Sequence, residues 1–167
     1  MKDADVILFG EWLNEPRAYQ SSNRLNLGVL KREFLKFSGS ESFKENEIFI
    51  FVEDLDDEVV EENFIEILER EKKPRFHCHR CKKISVTITY NGVEYIHEFN
   101  PASTANKIMQ WVSHEADISK NDAMQLILRA QSENGKIFEN NTHLGNLVKF
   151  PDCNAHLYLT PKDRYQG

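Results

Sequence analysis

Two alternating runs joined by one dipeptide restrict this chain more than anything else in it. The first run is Ile84-Ser85-Val86-Thr87-Ile88-Thr89-Tyr90 and the second is Val93-Glu94-Tyr95-Ile96-His97-Glu98-Phe99. Asn91-Gly92 lies between them, and both residues tolerate φ > 0, so the pair reads as a tight hairpin. Downstream, Ser103 or Thr104 can open a helix by accepting from a free amide. Ile108, Met109, Trp111 and Val112 are spaced to share one face of that helix, with Trp111 expected in the core beside Leu126 and Leu128. Residues 124–130 then read as a strand, Asn134-Gly135 as a turn, 136–138 as a short strand and 155–160 as a final strand. Pro161 is expected to end strand pairing there.

The first half reads less clearly. Residues 5–9 form a short apolar strand ended by Gly10. Residues 11–26 hold Pro16, Ser21, Ser22 and Asn23 and read as a loop. Asn26 can cap a helix over 27–37, with Leu27, Leu30, Phe34 and Phe37 on one side and Ser38-Gly39-Ser40 as its end. Residues 47–52 read as a strand. Phe64, Ile65 and Leu68 stand among glutamates as a short amphipathic helix, and 75–80 reads as another strand. Strand, helix, strand, strand repeats the order of the second half with one hairpin strand missing or irregular. An unrelated α/β module is the alternative. The boundary falls near Cys81-Lys82-Lys83, a link short enough to limit how the halves can be oriented.

Composition excludes several classes. A formal charge of −6 over 167 residues argues against nucleic acid as the main partner, since phosphate binding needs a basic surface. No apolar run approaches the ~18 residues of a membrane span, and no basic-then-apolar leader opens the sequence. The expectation is a cytoplasmic protein with no membrane partner. Three cysteines, an odd number, do not read as a disulfide framework.

Chemistry-bearing residues are few. His77-Cys78-His79-Arg80-Cys81 contains a C-x-x-C and two imidazoles, but zinc needs four converging ligands and Cys153 would have to come from the far half. In a strand, His77 and His79 face one way and Cys78 the other. The segment reads first as a structural strand and linker, with a metal site or a redox pair as alternatives. The acidic run over 53–62 lacks the glycine of a calcium loop and reads as a solvated loop. His114 and His143 have no adjacent partner to mark a general base. No catalytic residue, metal or cofactor is expected. In the last two long strands, Leu126, Leu128, Leu157 and Leu159 alternate with Ile127, Arg129, His156 and Tyr158, so the second group is expected to share the outer face of a sheet.

The order hairpin, helix, strand, short strand, strand, with Gly167 last, resembles the β-grasp fold of ubiquitin and the glycine end of a conjugated ubiquitin-like modifier. The whole resembles ubiquitin's tandem-domain interferon-induced relative and the two-domain modifiers of bacterial operons that also encode activating, conjugating and deconjugating enzymes. Some of those operons defend against phage. The resemblance implies an α+β protein of tandem β-grasp domains, the first degenerate. The expected limits are 1–81, 82–162 and a flexible conjugation tail at 163–167. It implies that an activating enzyme adenylates the Gly167 carboxylate and passes it through thioesters to a conjugating enzyme and a target lysine. A metalloprotease would reverse the bond, and a phage structural protein is one class of target. Arg164, Tyr165 and Gln166 would be read by the activating enzyme, and Ile127, Arg129, His156 and Tyr158 would form the apolar patch that such proteins present. Ubiquitin ends in two glycines, whereas Gln166 precedes Gly167 here. Two other readings stay open: a non-conjugated β-grasp adaptor, and a sulfur carrier whose terminal glycine becomes a thiocarboxylate.

Overall fold

The computed structural model describes residues 4–21, 25–37 and 44–162. The expected helix end at Ser38-Gly39-Ser40 and the tail residues Arg164, Tyr165, Gln166 and Gly167 lie outside the described residues.

Two four-stranded sheets follow one another, each with its own apolar core. In the first half, β1 (Ala4–Gly10) pairs antiparallel with β2 (Arg17–Ser21) and parallel with β4 (Arg75–His79), and β3 (Phe49–Val52) pairs antiparallel with β4. In the second half, β5 (Ile84–Tyr90) pairs antiparallel with β6 (Val93–Phe99) and parallel with β8 (Asn154–Pro161), and β7 (Leu126–Ala130) pairs antiparallel with β8. The orders β2-β1-β4-β3 and β6-β5-β8-β7 are the same arrangement twice. Both sheets are crossed by a helix after the hairpin, α1 (Leu27–Leu35) in the first and α3 (Ala105–Glu115) in the second. The protein is a tandem β-grasp α+β fold. Among the described residues no helix is long and apolar enough to cross a membrane.

Local chemistry sets these elements where the sequence places them. Asn91 and Gly92 have φ of 50° and 78°, the left-handed pair a two-residue hairpin requires. Asn26 Oδ1 accepts from the Val29 amide at 2.9 Å to open α1, and Thr104 Oγ1 accepts from the Lys107 amide at 3.2 Å to open α3.

The first hairpin is irregular rather than missing. Residues 17–21, read above as loop, pair with β1 in full register, and residues 11–16 form the connection. Tyr19 gains partial burial against the first core, a gain that no alternation in so polar a stretch announces. α2 (Glu61–Arg70) buries Phe64 and Ile67, and Ile65 is exposed instead. Residues 120–123 add a short helix, α4, so that β7 starts two residues later than the pattern suggests. At the end of β8, Pro161 still pairs with Leu126 and the Lys162 amide donates to the Gln125 carbonyl at 2.8 Å. Pairing thus runs past Pro161, because proline lacks a donor but keeps its carbonyl.

Trp111 is not the core tryptophan that helical spacing suggests. Ala105, Ile108 and Val112 form the buried stripe of α3, while Trp111 sits at its edge. There it stacks on His97 at 4.7 Å and meets the Phe99 edge at 5.8 Å. Ile108, fully buried, is the position whose loss leaves a cavity. Ile108→Ala is expected to lower stability by about 2–5 kcal/mol, and Trp111→Ala by clearly less. Urea denaturation of the two variants measures the order.

Candidate functional site

Strand pairing gathers Ile127, Arg129, His156 and Tyr158 onto the outer face of the second sheet. Arg129 lies opposite Tyr158, Ile127 opposite Thr160, Thr87 opposite His156 and Thr89 opposite Tyr158. The rings of His156 and Tyr158 stack at 4.5 Å, and Thr89 Oγ1 lies 2.8 Å from His156 Nε2. Arg129 is drawn to one side. Its Nη1 donates to the Gly135 carbonyl at 3.0 Å and its Nε to Thr160 Oγ1 at 3.3 Å. Ile127 is half-buried rather than exposed. It borders a cleft of about 780 Å³ at the β7 edge, lined also by Met109, Met124, Ile137 and Phe138. Met124 is 61% exposed, so the apolar surface reaches around the sheet edge instead of centring on Ile127. Periodicity could not show this, since Met124 belongs to the turn after α4.

β8 carries the chain out of this sheet. It is an interior strand parallel to β5, and Ser85 pairs with Asn154 while Thr89 pairs with Tyr158. Its C-terminal end therefore lies beside the Asn91-Gly92 turn. The link from the first half enters at the opposite end, at Ile84, so Lys162 and the first domain stand at opposite ends of the second sheet.

The histidines and cysteines of the linker do something else. Cys78 is a fully buried free thiol in the first core, and burial pushes its pKa well above the ordinary value, so it is not poised as a nucleophile. Cys81 is bonded to Cys153, with Cα atoms 5.8 Å apart, which corrects the reading of the cysteines as unbridged. The β5–β8 register brings the two together, and that register was the signal that could have found them.

His77 and His79 leave β4 on the face opposite Cys78 and enter the junction between the halves. The Cys81 amide donates to His79 Nδ1 at 2.9 Å, so Nε2 carries the proton and donates to the carbonyls of Val148 and Gly145, at 2.9 and 3.1 Å. His77 Nδ1 lies 3.0 Å from His143 Nδ1, and His143 Nε2 donates to Glu53 at 2.7 Å. With His143 Nε2 protonated and its Nδ1 accepting, His77 donates from Nδ1 and its Nε2 is left unpartnered. His143 thus gains the partners that its sequence neighbours lack, and it is fully buried. Arg75 Nε also donates to Glu53, at 2.6 Å.

The acidic run is likewise no free loop. Asp54 accepts from the Thr104 amide at 3.0 Å and from its hydroxyl, Asp56 pairs with Lys107, and the Asn100 amide group donates to the Leu55 and Asp56 carbonyls. Nearby, Arg80 Nε donates to Glu11 at 2.7 Å. Among the described residues no cluster of histidine, cysteine, aspartate and glutamate side chains converges on a metal position.

With this geometry, residues 85–162 match the family model described as BilA ubiquitin-like domain 2. The second half has the ubiquitin-like β-grasp fold. No curated protein matches the chain. Solved structures similar to it include a protein designed from ubiquitin, 19% identical, with 52% of this chain and 96% of that one covered and a TM-score of 0.39. The ubiquitin-like domain of an Arabidopsis thaliana protein is 12% identical, with 52% and 87% covered and a TM-score of 0.39. The C-terminal ubiquitin-like domain of human 2'-5'-oligoadenylate synthetase-like protein is 19% identical, with 52% and 90% covered and a TM-score of 0.38. The fold assignment itself rests on strand order and register.

The junction that holds this ubiquitin-like domain to the first half carries a pH dependence. Burial lowers the pKa of His77 well below the ordinary value and that of His79 below it. Burial alone would raise the Glu53 and Glu11 carboxyls, but hydrogen bonds from His143 and Arg75 to the one, and from Arg80 to the other, hold both below the ordinary range. In every case the unfolded chain binds more protons as pH falls, so stability falls with it. The histidine share is full above about pH 6.5 and declines below it; the carboxylate share declines below about pH 4.3. His77→Asn keeps a donor near Nδ1 and cannot be protonated. Denaturation midpoints between pH 7.5 and 5.5 are expected to fall less steeply in this variant; an equal slope would place the titration elsewhere.

Proposed function

We propose that this chain is a covalent ubiquitin-like modifier, a substrate of its enzymes rather than an enzyme, with Gly167 as the acyl donor. An activating enzyme adenylates the Gly167 carboxylate, and an enzyme thiol displaces AMP to give a thioester. A conjugating enzyme then passes the glycyl group to a target lysine amine as an isopeptide bond, and a metalloprotease hydrolyses that bond. Arg164, Tyr165 and Gln166 occupy the approach to the ATP site, and the outer face with Tyr158 and His156 meets the enzymes. By the resemblance to phage-defence modifiers, the targets include phage structural proteins.

The observation that carries this reading is the course of β8. An interior strand delivers the chain at Lys162, at the end of the sheet away from the first domain. An enzyme can approach that end without meeting the first half. The outer face of the same strand carries the stacked His156 and Tyr158.

Both chemical steps depend on the placement of a few atoms, and a misplacement of about 1 Å can cost on the order of 100-fold in rate. Deleting Gly167 moves the carboxylate onto Gln166, whose side chain must then enter the narrowest part of the channel. With the cognate activating enzyme and ATP, the wild-type chain is expected to give a thiol-sensitive adduct on a non-reducing gel, and the deleted chain none. Equal charging of the two would refute the proposal. Tyr158→Asp is expected to lower the denaturation midpoint modestly, since the half-buried ring loses its stacking on His156, and to weaken binding of the folded protein to that enzyme by about 10-fold or more, because an unpaired carboxylate must be desolvated in the contact. Unchanged affinity in a binding titration would show that the face is not used.

A further inference from the structure

We propose that the Cys81–Cys153 pair is a redox-operated latch on the joint between the two domains, closed as the disulfide and opened by a dithiol. Both side chains pack in the second core, Cys81 fully buried and Cys153 at its margin. Yet Cys81 stands before the link, and β4 of the first domain ends two residues ahead of it, at His79. Cys153 stands just before β8, and its carbonyl accepts from the Ser85 amide at 2.9 Å. The bond therefore fastens the end of the first domain onto the second sheet, ahead of the exposed pair Lys82-Lys83.

Cys153 also closes the stretch of chain that meets the first domain. Within residues 143–153, His143 lies on His77, and the Gly145 and Val148 carbonyls accept from His79. The Phe150 amide donates to Glu11 at 3.3 Å, and the Arg80 guanidinium lies over the Phe150 ring at 5.0 Å. With the latch closed, His79 is two residues from a point fixed on the second domain. With it open, the nearest such point is Ile84, five residues away, and the extended reach grows from about 7 Å to about 17 Å. If effective concentration falls as the −3/2 power of tether length, one face of the joint is then about 4-fold more dilute at the other.

The exchange balances as a two-electron reaction. A thiolate of the dithiol attacks Sγ of Cys153, the less buried partner. The S–S bond breaks, and Cys81 leaves with the electron pair and takes up a proton. The second thiolate of the dithiol displaces Cys153 from the mixed disulfide. The dithiol ends as a disulfide and the chain as two thiols. Hydrogen peroxide closes the latch again: the two thiols give up two electrons and two protons, and the peroxide becomes two waters. Cys78 does not compete as a partner, because it is fully buried in the first core.

The test follows amide hydrogen exchange in the full ¹⁵N-labelled chain at neutral pH, with and without excess dithiothreitol. Two amides report on the joint. Asp54 donates to the Ala102 carbonyl at 3.3 Å, and Thr104 donates to Asp54 Oδ1 at 3.0 Å, each across the domains. On reduction both are expected to exchange about 4-fold or more faster, and ahead of Thr87 and Ile88 in β5, whose resonance positions stay in place. Removing the dithiol and adding hydrogen peroxide is expected to restore the slow rates. Cys153→Ser is expected to give the fast rates with or without dithiothreitol. Unchanged exchange at Asp54 and Thr104 would overturn the proposal. So would joint and β5 amides exchanging at one common rate after reduction, since the bond would then staple the whole fold, and so would a bond that excess dithiothreitol leaves intact in the folded chain.

Discussion

The contact between His77 and His143 is the one on which the arrangement of the two halves depends. Each imidazole belongs to a different domain, and both are fully buried. Apart, each half would expose a polar strand or loop to water at little penalty. Together, every donor must find an acceptor, because an unmatched buried polar group costs about 1–3 kcal/mol. The junction meets this almost completely, with His143 on Glu53, Glu53 on Arg75, and His79 on two carbonyls. Among the described residues of the junction only His77 Nε2 is left without a partner, pressed against Gly145, where a Cβ would stand 2.3 Å from it. Gly145 is therefore needed for close approach, a role independent of its backbone angles.

This joint ties the folding of the second domain to the first. The N-terminus of α3 is capped twice, by Thr104 within its own domain and by Asp54 from the other. Asp54 adopts φ of 61° to do so, a conformation that aspartate tolerates better than most residues. Phe9 stacks on His143 at 3.9 Å while the Arg75 guanidinium lies over the same ring. Aromatic and charged groups thus close the seam together, and the short link before β5 is pinned at Cys81 to the start of β8.

What could be read from the sequence follows from where each signal is stored. The second domain was legible because its hairpin turn, its cap and its alternation are local, and Asn91, Thr104 and Leu128 each do what their neighbours imply. β2 was not, because Arg17, Tyr19 and Ser21 acquire strand character only from β1 beside them. Trp111 misled for a related reason: the helical stripe is wide enough to include it, but Ala105, Ile108 and Val112 fill the space under α3. The junction was illegible altogether. Glu53, Asp54, His77 and His143 are far apart in the chain, and their pairing appears only after two domains have folded. The clue was indirect: a strand alternating His77, Cys78 and His79 must bury polar groups on one side, and those groups need partners from elsewhere.

The placement of the joint also orders the surfaces of the second domain. Because β5 and β8 are parallel, the end of the sheet that receives the first domain is the end where β8 begins, and the chain leaves at the other. β6 runs between these ends as an edge strand, two strands away from β8, or roughly 10 Å at ordinary strand spacing. The β6 edge and the Lys162 end of β8 therefore lie on separate borders of one sheet. The outer face with Tyr158 and His156 spans the distance between them. Fixing the first domain at one end leaves the Lys162 end of β8 and the outer face open at once. A hinged pair could not guarantee that, since a freely swinging domain would cover one border in some of its positions.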